Sequence, residues 1–285
     1  MPRRRSFDRA RCLVTGASSG LGRAIAVALA KAGARVVLTG RSADRLDEAA
    51  RSLHVDGIPP DRIATVAADL TSDDDRRRLF DRALDHLGGL DIAVNSAGVG
   101  ATGHFESHDP SVLRRVFEIN VFALAEVSRL ALPLLREGNR PSLVNLGSIV
   151  ARRGLPGRPE YTASKFAVAG FTESIRAEWA RYGIHVLLLN PGFTATEFER
   201  NLVVDTAIYP VSARRVNTPE SVAAATLRAL RRGTDELTLT PQGRFLLLTN
   251  RLFPRFVNWG FNRWTLHLYP DSPILRPPKA PKAEA

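Results

Sequence analysis

Thr15-Gly16-Ala17-Ser18-Ser19-Gly20-Leu21-Gly22 stands between the apolar run Cys12-Leu13-Val14 and the helix-forming run Arg23-Ala24-Ile25-Ala26-Val27-Ala28-Leu29-Ala30. The order is strand, glycine turn, helix. Gly16, Gly20 and Gly22 carry no Cβ, so the backbone can come close to a ligand. The positive end of the following helix suits an anion such as a pyrophosphate. Read alone, the stretch could be an ordinary tight turn; its flanks make it the first unit of a parallel sheet. Working outward, short aliphatic and β-branched runs alternate with longer helical patterns, the signature of a sheet wrapped on both faces. The spacing predicts seven strands, at 11–15, 35–39, 62–67, 92–95, 142–146, 185–190 and 237–240, and a helical run over 111–135. The ligand crevice of such a sheet lies outside the C-terminal ends of its strands, where strand order reverses.

A second constellation lies in Glu160-Tyr161-Thr162-Ala163-Ser164-Lys165, with Ser148 thirteen positions upstream. Residues i and i+4 share one helix face, so the ammonium of Lys165 can stand beside the phenol of Tyr161. An ordinary phenol, with a pKa of about 10, exchanges protons poorly near neutrality, and a neighbouring cation favours the phenolate. The spacing therefore predicts that Lys165 tunes Tyr161 as an acid for a carbonyl oxygen or a base for an alcohol. Taken singly, Tyr161 and Lys165 read as a solvated helix pair, Ser148 as a loop serine and Asn120 as a helix asparagine with a structural hydrogen bond.

Together, these motifs resemble the short-chain dehydrogenase/reductase family over most of the chain. Its Thr-Gly-x-x-x-Gly-x-Gly motif matches Thr15 to Gly22. Its Asn-Asn-Ala-Gly motif appears as Asn95-Ser96-Ala97-Gly98, with Ser96 replacing the second asparagine. The resemblance implies a Rossmann-type doubly wound seven-stranded parallel sheet of the α/β class over residues 11–240. It implies catalytic roles for Asn120, Ser148, Tyr161 and Lys165. A nicotinamide cofactor would supply hydride while Tyr161 protonates the oxygen that Ser148 polarises. Lys165 would also bind the nicotinamide ribose, and Asn120 would hold a water linking Lys165 to solvent. Cofactor contacts are implied for Thr15, Gly16, Ser18, Ser19, Gly20, Leu21 and Gly22, for Asn95, Ala97 and Gly98, and for Pro191, Gly192, Thr194 and Thr196. Asp69, with Leu70, resembles the adenine-contacting aspartate; alternatively Asp69 or Thr71 starts the next helix as a cap.

Cofactor choice is read at the end of the second strand, Leu38-Thr39-Gly40-Arg41-Ser42, where no carboxylate is available to bind ribose hydroxyls. Arg41 and Ser42 can instead bind a 2′-phosphate, so NADP(H) is expected over NAD(H); the alternative is a solvated loop arginine.

The chain has 285 residues, 44% of them hydrophobic, enough for one large core. The single cysteine, Cys12, excludes an internal disulfide and reads as buried packing in a reducing compartment. His104 and His108 form the one close histidine pair and have no third ligand nearby, so no metal is expected. The net charge of +11 raises nucleic acid as a partner, but no reading element is present, and much of the surplus lies at the ends. Residues 1–10 form a basic arm containing Arg3, Arg4 and Arg5. Arg4-Arg5-Ser6-Phe7 looks like a twin-arginine signal but lacks an apolar region before strand one, so a cytoplasmic protein is expected.

Residues 241–285 hold seven of the 20 aromatics and seven basic against two acidic residues. Phe253, Phe256, Val257, Phe261, Trp264 and Leu268 follow helical spacing, with Arg255, Asn258, Asn262 and Arg263 between them. The extension 241–272, which also holds Tyr269, is thus an amphipathic helix. It suits the inner membrane surface, the cover of a lipid-binding entrance, or packing against its own domain or a second subunit of a homodimer or tetramer. Residues 273–285 read as a disordered Pro-rich tail. Segments 193–216 and 154–160 are expected to wall the substrate site, and the apolar extension favours a hydrophobic lipid, steroid-like or long-chain carbonyl or alcohol. The competing class is a cofactor-binding sensor or scaffold without turnover.

Overall fold

The computed structural model describes residues 5–206 and 216–268, with side chains given to residue 265. Arg3, Arg4, residues 207–215 of the expected substrate loop, Tyr269 and the tail 273–285 lie outside the described residues.

Side-chain alternation in β1 (Arg11–Thr15) sets the layering. Cys12 and Val14 face one side and Leu13 the other, all fully buried, because successive strand residues point to opposite faces. β1 is followed by α1 (Gly20–Lys31), β2 (Arg35–Gly40), α2 (Ala43–Val55), β3 (Ile63–Ala67), α3 (Asp73–Leu87) and β4 (Ile92–Asn95). The second half runs α4 (Pro110–Phe117), α5 (Ala123–Arg136), β5 (Ser142–Leu146), α6 (Pro159–Trp179), β6 (His185–Asn190), α7 (Pro219–Arg232) and β7 (Glu236–Thr238). The strands form one parallel sheet in the order β3-β2-β1-β4-β5-β6-β7. Order reverses between β1 and β4, which opens the crevice above their C-terminal ends.

Two cores flank the sheet. Ile25, Leu29, Leu46 and Leu53 of α1 and α2 pack on Cys12, Val14, Val36 and Leu38, joined by Val222 and Leu230 of α7. On the other face Leu79, Leu87, Val127, Leu135 and Trp179 pack on Leu13, Val37, Ala93 and Leu143. Each such side chain contributes about 1.5–3 kcal/mol by leaving water. Cys12 lies wholly inside, where burial pushes its thiol up.

Four sequence readings change. The basic arm is, in its described part, integral to the domain: Phe7 is buried in the core, and the buried Arg5 guanidinium donates to Ser142 Oγ and the Asp91 carbonyl. The helix read over 111–135 is broken by a π-helical turn at Glu118–Phe122 that carries Asn120. β7 ends at Thr238, because Thr240 caps α8 (Pro241–Leu252) by accepting the Gly243 N–H at 3.2 Å. The extension is two helices, since Pro254 interrupts the pattern and starts α9 (Pro254–Leu268). Its expected single apolar stripe divides: Val257 is buried, whereas Phe253 and Phe256 are exposed on the outer side with Trp259.

Candidate active site

The crevice is a cavity of about 810 Å³ that runs from the glycine turn, past the ends of β4, β5 and β6, to α8 and α9. Its floor needs glycine. A Cβ on Gly22 would lie 2.3 Å from the Gly16 carbonyl oxygen, and one on Gly16 would lie 2.8 Å from the Ala97 nitrogen. Gly16 and Gly20 also have φ of 63° and 54°, the left-handed region glycine accepts without strain. Ser18, Ser19 and Leu21 complete this wall, and α1 points its N-terminus at the cavity. The cradle fits the pyrophosphate of a dinucleotide.

At the β2 end, Arg41 and Ser42 line the cavity, joined by Arg45. Ser42 also caps α2, accepting the Arg45 N–H at 3.4 Å. Asp69 and Leu70 lie on the same wall. The capping alternative for Asp69 is replaced: Ser72 caps α3, and Asp69 Oδ1 accepts the Thr71 N–H at 3.0 Å and its hydroxyl at 2.8 Å. Burial alone would raise the Asp69 carboxyl, but these hydrogen bonds and the charges of Arg115 and Arg41 hold it below the usual carboxylate range. Ala97 and Gly98 follow β4 at the cavity edge; Pro191, Gly192, Thr194 and Thr196 follow β6.

Two expected cofactor contacts, Thr15 and Asn95, and the expected catalytic residue Asn120 stand behind the wall. Thr15 Oγ1 accepts the N–H groups of Ser96 and Ala97 at 3.0 and 3.2 Å and so shapes the β4 loop from beneath. Asn95 is buried and donates to Ser128 and Asn145 at 2.9 Å, tying β4 to β5 and α5. The Asn120 amide donates to the Val99 carbonyl and Ser164 Oγ, each at 2.9 Å, while its oxygen accepts the Val99 N–H at 2.8 Å. With both donors committed, the Asn120 side chain positions the Val99 loop and α6 and does not present its amide to solvent.

Ser148, Tyr161 and Lys165 come together on the cavity wall. Ser148 follows β5, while Tyr161 and Lys165 project from the first turns of α6. The Lys165 nitrogen is 5.7 Å from the Tyr161 ring centroid and donates to the Leu146 carbonyl at 2.7 Å. Burial pushes Lys165 down to about 8. The expected tuning of Tyr161 is corrected. Burial raises the phenol above its ordinary value; the Ser148 hydroxyl and the Arg158 charge pull it back, and Glu199 pushes it further up. Desolvation outweighs the Ser148 hydroxyl and the Arg158 charge, so Tyr161 stays protonated across neutral pH, as a proton donor must. Glu160, next to it, points away into a buried contact with His108 Nδ1 at 2.6 Å. His108 is thus a packing partner, and among the described residues no three His, Cys, Asp or Glu side chains are grouped to hold a metal.

The sequence reading missed several wall residues. Arg45, Arg115 and Arg158 look in sequence like any other arginine of a basic chain. Phe198 faces Tyr161 with ring centroids 5.4 Å apart, and Leu246, Phe261 and Trp264 close the far end from α8 and α9. Arg153 fastens α9 in place: it donates to Asn258 Oδ1 at 2.6 Å and lies 4.9 Å from the Phe261 centroid.

Residues 10–206 match the family described as short chain dehydrogenase (adh_short). The chain belongs to this short-chain dehydrogenase/reductase family, whose fold binds NAD(P). It is an oxidoreductase acting on alcohol and ketone groups. Ketoacyl reductase HetN of Nostoc sp. is 30% identical over 225 residues, covering 79% of this chain and 76% of its own. Gluconate 5-dehydrogenase of Gluconobacter oxydans is 34% identical over 203 residues, covering 70% of this chain and 77% of its own. A crystal structure of 3-ketoacyl-(acyl-carrier-protein) reductase from Brucella melitensis, complexed with NADH, superimposes with a TM-score of 0.70. It is 26% identical and covers 84% of this chain and 93% of that one.

Proposed function

We propose that this protein is an NADP(H)-preferring oxidoreductase that interconverts a carbonyl and an alcohol on a hydrophobic lipid, steroid-like or long-chain substrate. The observation that carries the reading is the continuous cavity in which the glycine cradle, Tyr161 and the apolar side chains Leu246, Phe261 and Trp264 share one space. When bound, the dinucleotide supplies or accepts the hydride. Tyr161 gives its proton to the carbonyl oxygen in reduction and takes one in oxidation, while the Ser148 hydroxyl orients and polarises that oxygen. Lys165 stands beside Tyr161 and would hold the nicotinamide ribose; Asn120 fixes the Val99 loop and Ser164 around them. Preference for the phosphorylated cofactor is supported by Arg41, Ser42 and Arg45 on the wall and by the lack of an acid at positions 40–42.

The outer face of α8 and α9 supports a peripheral place on the inner membrane surface. Phe245, Leu248, Leu252, Phe253, Phe256 and Trp259 are exposed there, and residues 241–268 contain four arginines and no acid. A second copy would bring arginine against arginine, whereas anionic lipid complements the charge. A homo-oligomer formed through other surfaces is compatible with this. No helix among the described residues is long and apolar enough to cross a membrane. NADPH oxidation measured against a panel of hydrophobic and small polar ketones tests the substrate class; equal kcat/KM for both groups refutes it. Flotation with anionic vesicles tests the surface: Phe253→Glu with Phe256→Glu should abolish flotation while turnover of a soluble ketone persists, and undiminished flotation refutes it.

A further inference from the structure

The turn Glu197–Asn201, which follows the Pro191-Gly192 segment, is fastened at both ends of the cavity by arginines. Glu197 accepts from Arg45 Nη1 at 2.9 Å, beside the cofactor-phosphate end. Glu199 accepts from Arg158 Nη2 at 2.7 Å, beside the catalytic end. Between them Phe198 packs on the Tyr161 ring. Arg158 lies three residues before Tyr161, its side chain only 6% exposed, while Glu199 is 45% exposed. A charge so deeply placed is costly without a partner, and Glu199 supplies one from the loop.

We propose that the Arg158–Glu199 ion pair is a positioning element of the reaction, tying the substrate loop to the start of the catalytic helix and setting two opposite charges on the cavity wall that Tyr161 shares. The inference rests on Tyr161 being the proton donor. Both residues line the same cavity as Tyr161. Their charges act on the phenol in opposite senses, Arg158 favouring the phenolate and Glu199 the phenol. The other groups facing the ring are the Ser148 hydroxyl and the Lys165 ammonium; Glu160, adjacent in sequence, is turned away into His108. Burial does most to keep the proton on the phenol; Glu199 adds to that hold and Arg158 opposes it. The cation alone would release it sooner.

The test is the pH profile of kcat/KM for ketone reduction with NADPH in the full chain, for wild type, Glu199→Gln and Arg158→Gln, with Tyr161→Phe as control. The alkaline limb, where the donor loses its proton, should move down by about one pH unit in Glu199→Gln and up by about as much in Arg158→Gln. A pair that only anchors the loop would lower kcat in both variants and leave the limb in place, or move it the same way in both; either result overturns the proposal. If Arg158→Gln does not fold, Glu199→Gln decides alone, because its limb must move down. Full turnover in Tyr161→Phe would instead refute the assignment of the donor.

Discussion

The Lys165 nitrogen donates to the main-chain carbonyl of Leu146 at 2.7 Å, which fastens α6 to the last residue of β5, two residues before Ser148. The bond locks strand end and helix start into one frame. Serine, tyrosine and lysine, scattered over eighteen positions of sequence, therefore keep a fixed relation without relying on the loop between them.

Lys165 gives the first prediction. Its ammonium sits at about 8 in the free protein because burial disfavours the charge. An anionic dinucleotide favours the ammonium and raises that value, so binding takes up a proton above pH 8. NADPH affinity should accordingly be flat below pH 7 and weaken above pH 8, by up to about tenfold per unit. Lys165→Met should flatten the dependence. Fluorescence titration of NADPH between pH 6.5 and 9.5 measures it, and an affinity that rises with pH would have the wrong sign.

Arg41→Ala should weaken NADPH by roughly ten- to a hundredfold while changing NADH little, since a charge-assisted bond to phosphate is worth about 1.5–3 kcal/mol. Dissociation constants for both cofactors check this. Equal loss for the two removes Arg41 from phosphate recognition.

Gly22→Ala places a methyl group 2.3 Å from the Gly16 carbonyl oxygen, where only backbone can yield. The expected result is loss of dinucleotide binding, with thermal stability lowered because the turn joins β1 to α1. Gly170→Ala, whose added Cβ meets nothing within 4 Å, is the matched control on α6 and should bind normally. Unaltered binding in Gly22→Ala would remove the cradle from the account.

Asn120→Leu deletes three hydrogen bonds inside the fold and leaves the Val99 peptide without its partners. A loss of about 1–3 kcal/mol in unfolding free energy is expected, because buried peptide groups left unpaired bear their full desolvation cost. Turnover should fall together with stability. Chemical denaturation alongside steady-state kinetics reports both; lost turnover with stability unchanged would show a role in proton relay instead.

Much of this was legible in sequence because it rests on local rules. The glycine spacing decides a backbone path, strand alternation decides which side chains enter each layer, and Tyr161 with Lys165 obeys helix periodicity. What was hidden depends on contacts distant in the chain. The break at Glu118–Phe122 is invisible to apolar periodicity, because a π-helical turn inserts one residue without changing residue type. The upward shift of Tyr161 reflects desolvation by the assembled cavity, which a four-residue spacing cannot report. In sequence Arg158 is one of 40 basic residues, and only the fold brings Glu199 beside it. The aromatic stripe of the extension divides because the adjacent residues Phe256 and Val257 point about 100° apart around α9, leaving Val257 inward and Phe256 outward.

The central claim is that the Tyr161 phenol delivers the proton beside a bound nicotinamide. Tyr161→Phe keeps the ring against Phe198 and removes only the hydroxyl. Measured together, NADPH binding and single-turnover ketone reduction should show affinity within a few-fold of wild type and a rate lower by roughly two to four orders of magnitude. A rate near wild type in a variant that binds NADPH normally would contradict the account.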